Sequence, residues 1–291
     1  MSQPVSRWWS SPDGLRLHAR DYAGAEGPSR LPVIAIHGLT RNSRDFENVA
    51  PWIAATGRRV LALDVRGRGL SDRDPRPMRY KPPVYAKDVL ALLDQQGISR
   101  AIFLGTSMGG LITMAVAVFR VKAIAGAILN DVGPEVSPVG LKRIAAYVGR
   151  QTAPVETWAD AAAYVKGNNE TAFPGRDDAF WDAFARRAFS EGADGRPVLD
   201  YDPDINVPIK AAGPRALTPN LWPYFNRLAN RVPTMVVRGG TSDLLDEAIV
   251  EKMRRKARKT AVVEIPGIGH APMLDEPEAK AAILDFLSKV P

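Results

Sequence analysis

The sequence has no cysteine and only three histidines in 291 residues. The first absence excludes a disulfide framework, a thiolate zinc site, an iron–sulfur cluster and a cysteine nucleophile. The second leaves His18, His37 and His270 as the whole supply of imidazole for acid–base work. Long apolar runs are missing too, since the longest, 111–119, is about half a membrane span. Residues 1–20 hold Trp8 and Trp9 but no apolar run behind a basic start, so no secretory signal is expected. A soluble, cytoplasmic protein without a membrane partner is the expectation. The net charge of +7 is basic but too modest to argue for nucleic acid, and no nucleic-acid partner is expected. The one dense basic run, Arg254, Arg255, Lys256, Arg258 and Lys259, reads as the solvated face of a helix.

What is present is a rhythm. With 45% hydrophobic residues, the chain can bury a large core without staples. Short apolar runs at 15–22, 31–36, 59–63, 101–104 and 124–129 read as strands. Helical patterns at 43–55, 84–96 and 108–119 lie between them, with Ser43 and Asp45 able to cap the first and Gly97 stopping the second. Strands that are apolar throughout and alternate with helices imply βαβ units, hence an α/β fold with a mostly parallel, doubly wound sheet. From 133 to 231 the alternation stops. Helical segments at 139–150, 155–166 and 178–189 follow, in a region rich in aromatics such as Trp158, Trp181, Phe184 and Trp222. Strands at 233–237 and 261–265 and helices at 245–258 and 276–287 then resume the pattern. The expected organisation is one core, 1–132 and 232–291, interrupted by a helical insertion at 133–231.

Chemistry concentrates at the ends of the strands. Gly105-Thr106-Ser107-Met108-Gly109 lies between an expected strand and an expected helix, the setting of a nucleophile elbow. A serine at such a sharp turn is strained, and neighbouring chains approach so closely that only glycine fits two residues to either side. A hydroxyl needs a base. His270 follows the last strand, where function collects in an open parallel sheet, and is the expected base. His18 reads as a surface or edge-strand residue. The base in turn needs an acid. Asp243, after the penultimate strand, is the first choice. Asp131, after the strand that follows the nucleophile helix, competes with it, and Asp246 reads as a helix cap. Two backbone N–H groups should face the developing oxyanion. Met108, just after the nucleophile, supplies one. Leu39 supplies the other, with Gly38 admitting close approach and His37 holding the turn.

The motifs His37-Gly38-Leu39, Asp64-Val65-Arg66-Gly67-Arg68-Gly69-Leu70-Ser71, Gly105 to Gly109, Asp243 and Gly269-His270 together resemble the α/β-hydrolase superfamily. The resemblance implies that the insertion is a helical cap over the active site, and that the 64–71 segment shapes the site wall. Arg66 and Asp72 are assigned no catalytic role. Ser107 stands where epoxide hydrolases and haloalkane dehalogenases of this fold carry aspartate. Ala271 stands where many carbon–carbon hydrolases of ring-cleavage products carry tryptophan, and the HGGG loop of another esterase branch is absent. The pattern is more similar to small carboxylesterases, enol-lactonases and cofactor-free haloperoxidase-type proteins. The expectation is a serine hydrolase that cleaves a small to medium ester or lactone with water through an acyl-enzyme, using no metal and no cofactor. Three alternatives stay open on the same triad: a carbon–carbon-bond hydrolase, an acyltransferase or perhydrolase, and a non-catalytic or single-turnover small-molecule receptor.

Overall fold

The computed structural model describes residues 3–28, 30–148, 155–216 and 220–291. The chain opens with a hairpin, β1 (Val5–Ser10) and β2 (Arg16–Tyr22). There follow β3 (Val33–Ile36), α1 (Ala50–Ala54), β4 (Val60–Asp64), α2 (Pro82–Gln95), β5 (Ala101–Thr106), α3 (Met108–Arg120) and β6 (Ile124–Asn130). The next stretch holds α4 (Pro138–Tyr147), α5 (Trp158–Asn169), α6 (Asp178–Ala188), the small hairpin β7 (Phe189–Glu191) and β8 (Pro197–Leu199), α7 (Val207–Ala216) and α8 (Trp222–Ala229). The chain closes with β9 (Thr234–Gly239), α9 (Glu247–Lys256), β10 (Ala261–Ile265) and α10 (Pro277–Lys289).

Eight strands form one sheet in the order β1-β2-β4-β3-β5-β6-β9-β10. The β1–β2 and β2–β4 pairs are antiparallel, and every other pair is parallel. The α/β class and the mostly parallel sheet read from the sequence therefore hold. Two apolar clusters cover the two faces, and the strands divide their side chains between them with a period of two. In β3, Ile34 and Ile36 face α2 and α3, whereas Val33 and Ala35 face α1 and α10. Because both faces are covered, these strands are apolar at every position, the pattern that marked them in the sequence.

Several local features differ from expectation for identifiable reasons. The 43–55 helix is two pieces, a 3-10 turn over Ser43–Phe46 and then α1. Pro51 has no N–H and crowds the preceding turn, so no continuous helix passes through it. Asn42, rather than Ser43 or Asp45, caps the first piece by accepting from the Arg44 N–H at 2.9 Å. The edge strand β1 and the β7–β8 hairpin were not expected at all. The last two residues of the 139–150 helix lie outside the described residues. In the same stretch Thr157 and Asp160 form a reciprocal capping box that starts α5, and Asp177 caps α6. Helix α8 packs on α3, where Arg227 Nε donates to the Ala117 carbonyl at 2.8 Å. Arg254, Arg255 and Lys256 are exposed in the last turn of α9, where the helix dipole favours cations. Among the described residues, no helix is long and apolar enough to cross a membrane.

Candidate active site

Strand β5 delivers Ser107 into a turn with φ 51°, a left-handed conformation that non-glycine residues avoid. The surroundings fix that turn. A Cβ on Gly105 would sit 2.4 Å from the Gly109 carbonyl carbon, and one on Gly109 would sit 2.0 Å from the Ile36 carbonyl oxygen. Both glycines of the pentapeptide are therefore demanded by the close crossing of α3 over β3 and β5. Met108 is the first residue of α3, so its N–H has no partner within the helix.

His270, in the loop after β10, lies with Nε2 2.9 Å from Ser107 Oγ. Its Nδ1 is 2.7 Å from Asp131 Oδ2. The expectation that Asp243 meets this histidine is corrected by the geometry. Asp243 is engaged at 2.6 and 2.8 Å by both arms of the Arg143 guanidinium on α4. The Arg143 hydrogen bond, working against partial burial, holds the Asp243 carboxyl below its usual range. The reason for the exchange is strand order. β6 lies directly beside β5, so the residue after β6 emerges next to the nucleophile, and β9 is one strand further out.

Asp131 is fully buried with φ 54° and accepts three hydrogen bonds. Gly239 N–H reaches Oδ1 at 2.9 Å, and Ser242 Oγ and His270 Nδ1 reach Oδ2 at 2.6 and 2.7 Å. An ionised carboxylate needs such donors when it leaves water, and acceptance from Nδ1 leaves Nε2 of a neutral His270 free to take a proton from Ser107. Ser242 is in turn held by the Leu244 and Leu245 N–H groups, at 3.2 and 3.1 Å. Asn130 ties the elbow to the histidine loop, donating to Thr106 Oγ1 at 3.1 Å and to the Pro272 carbonyl at 2.9 Å. Neither Ser242 nor Asn130 was singled out from the sequence. Their signal, a polar residue closing an apolar strand or following a Gly-Gly turn, also marks ordinary turns. Asp246 caps α9 by accepting from the Ile249 N–H at 2.8 Å.

The loop after β3 forms the opposite wall. Among the described residues, no acceptor takes the Leu39 N–H. His37 is fully buried, its Nε2 3.1 Å from the Val65 N–H and its Nδ1 2.6 Å from the Gly38 carbonyl. Only the neutral ring protonated on Nδ1 satisfies both contacts. Burial pushes its pKa down to about 4 against the raising effect of the Gly38 bond. Through Gly38, His37 therefore orients the peptide whose N–H belongs to Leu39. Arg68, also buried, donates from Nε to the Leu39 carbonyl at 3.1 Å and brings Nη2 to 3.6 Å from Met108 Sδ. Arg66, by contrast, is consumed by Asp13, Asp74 and Asp88.

Two cavities meet at Ser107. One, of 100 Å³, is lined by Thr40, Arg41, Asn169, Phe173, His270 and Pro272 among others. The other, of 250 Å³, is lined by Tyr85, Met108, Val136, Leu141, Ile205 and Ile209 among others. Residues of the 133–231 stretch thus line part of both. Among the described residues, no group of three or more histidine or acidic side chains is placed to hold a metal ion.

A mostly parallel sheet, a strained serine between β5 and α3, an aspartate after β6 and a histidine after β10 that joins the two define the class of the α/β hydrolases. The chain belongs to the alpha/beta hydrolase family, whose sequence model matches residues 33–283, and it is a hydrolase of that fold. It is 34% identical over 284 residues to the 3-hydroxybutyrate-oligomer hydrolase of Cupriavidus necator, covering 96% of this chain and 95% of that protein. It is 32% identical over 120 residues to esterase YbfF of Escherichia coli, covering 41% of this chain and 46% of the esterase. Its structure matches the crystal structure of an alpha/beta hydrolase from Novosphingobium aromaticivorans with a TM-score of 0.90 and 45% identity, over 99% of both chains.

Proposed function

We propose that this protein hydrolyses carboxylic esters, lactones included, through an acyl-enzyme formed on Ser107. The observation that carries the reading is the continuous chain from Ser107 Oγ to His270 Nε2 at 2.9 Å and from His270 Nδ1 to Asp131 at 2.7 Å, on a left-handed elbow. Ser107 attacks the carbonyl carbon while His270 takes its proton. Asp131 keeps the imidazole in the right tautomer and stabilises the imidazolium. The Leu39 and Met108 N–H groups receive the oxyanion, with the buried Arg68 guanidinium adding positive potential behind both. His270 then protonates the leaving alkoxide and afterwards activates water to release the acid. The segment at 133–231 serves as a cap. Its share in the lining of both cavities supports that role, although α8 packs with the core.

The similarity to a 3-hydroxybutyrate-oligomer hydrolase along almost the full length supports a short hydroxyacid ester as one natural substrate. Hydrolysis of p-nitrophenyl acetate, butyrate and octanoate, and of 3-hydroxybutyrate dimer and trimer, tests the reading. Turnover by the wild type and its loss in Ser107→Ala is the expected result. A folded wild type without turnover on any of these esters overturns it.

A further inference from the structure

The two cavities at Ser107 differ in chemistry, and the stereochemistry of acyl transfer decides which part of a substrate each receives. The tetrahedral carbon carries four groups: Ser107 Oγ, the oxyanion, the leaving oxygen and the acyl chain. The oxyanion is directed to the Leu39 and Met108 N–H groups. The leaving oxygen must come within hydrogen-bond reach of His270 Nε2, because that nitrogen returns the proton to it. His270 and the following residues Ala271 to Leu274 line only the smaller cavity. The acyl chain has one direction left, into the larger cavity, which His270 does not line.

We infer that the 250 Å³ cavity between α2, α3, α4 and α7 is the acyl site and the 100 Å³ cavity beside His270 is the alcohol site, an assignment that rests on the ester-hydrolase reading above. The acyl site is walled by Met108, Val136, Leu141, Ile205 and Ile209, and its one carboxylate, Glu135, is already held by Lys252 at 2.9 Å and by the Trp222 indole at 2.6 Å. An apolar chain loses no hydrogen bonds on entering such a site, and each added methylene gains burial. The alcohol site is smaller and more polar, with Thr40, Asn169 and the Arg41–Asp45 ion pair on its wall. The substrate class that fits both is an ester with a short to medium-length, largely apolar acyl group, a 3-hydroxybutyryl chain included, and a compact polar alcohol. Ile144 and Leu39 line both cavities and form, with Ser107, the partition between them.

The test varies the acyl and alcohol parts separately. For the wild type, kcat/KM is expected to rise from acetyl to octanoyl along a series of methyl esters, and to fall from methyl to octyl along a series of butyrates. Leu141→Trp, and Ile209→Trp as a second variant on a different helix, fill the acyl site. Each should lower the octanoyl-to-acetyl ratio of kcat/KM by about 10-fold or more, the scale of one or more methylenes lost from a pocket. The methyl-to-octyl alcohol ratio should stay within about 2-fold in both. Asn169→Phe narrows the alcohol site and should do the reverse. Folding of each variant is checked by thermal melting and by stoichiometric labelling with a fluorophosphonate. A change in the alcohol ratio, and not the acyl ratio, on filling the larger cavity overturns the assignment while leaving the esterase reading intact. Absence of both turnover and labelling in the wild type would instead remove the reading beneath it.

Discussion

Among the described residues there are two Ser–His–Asp chains with nearly the same hydrogen-bond lengths. One runs Ser107–His270–Asp131, at 2.9 and 2.7 Å. The other runs Ser6–His18–Asp64, at 3.1 and 2.7 Å, on the antiparallel edge of the sheet. Their surroundings differ. Ser6 sits on the regular edge strand β1, exposed and paired through the register Ser6↔Arg20. Ser107 sits at a left-handed turn against the N-terminus of α3, beside two cavities. Asp64 spends its oxygens on structure, accepting from the Ser43 N–H at 2.7 Å and the Leu70 N–H at 3.2 Å as well as meeting His18. A Cβ on Gly69 would collide with that carboxylate, so the wall-forming turn is folded around it. The lesson is that three side chains in line do not make a nucleophile. The strained elbow and the free N–H groups distinguish the first chain from the second, since Ser6 and His18 also line an open hollow at the surface.

The largest effects should separate the two chains cleanly. Ser107→Ala is expected to lower kcat on p-nitrophenyl butyrate by about 10⁴-fold or more. Ser6→Ala should leave the same rate within about 2-fold. Measured side by side, equal losses would erase the distinction. The acids come next. Asp131→Asn should cost on the order of 10⁴-fold in kcat, because the amide cannot hold the imidazole in its working tautomer. Asp243→Asn, which weakens the Arg143 pair and leaves the His270–Asp131 contact in place, should change kcat by less than about 10-fold. A deep loss at Asp243 with a mild one at Asp131 would reverse the order of the two carboxylates.

Smaller effects fall on stability. Burial alone would raise the Asp64 carboxyl's pKa, but the His18 and Ser43 hydrogen bonds outweigh it and hold the group low. Asp64→Asn, which weakens this buried pair, should lower unfolding stability by up to about 3–5 kcal/mol in urea titrations. The kcat per folded molecule should stay within a few-fold. His37 supplies a pH signature. Its folded pKa of about 4 lies below the ordinary value, so between about pH 4 and 6.5 the unfolded chain binds the extra proton. The stability contributed by neutral His37 is thus complete above about pH 6.5 and falls by up to about 1.4 kcal/mol per pH unit as the solution is acidified towards pH 4. His37→Asn should flatten that part of the profile, and an unchanged slope would contradict the assignment.

The buried strands of the sheet, the elbow and the histidine loop were legible in the sequence because each is local. Apolar strands covered on both faces, glycines around Ser107 and a histidine after the last strand can be read without knowing what lies beside what. The choice between Asp131 and Asp243 was not local. Both follow apolar strands, and only the placement of β6 between β5 and β9 brings Asp131 to His270. The Ser6–His18–Asp64 chain stayed hidden for the same reason, since it joins β1, β2 and β4 across the sheet. The β7–β8 hairpin escaped because its strands are only three residues long, too short for alternation to register.

Labelling with a fluorophosphonate followed by peptide mass spectrometry tests the central claim most directly, because the probe reports an activated serine whatever the natural substrate. One adduct per chain, on Ser107, lost in His270→Ala and retained in His18→Ala, is the expected result. An adduct on Ser6, or an unlabelled Ser107 in protein that still hydrolyses esters, would contradict the account.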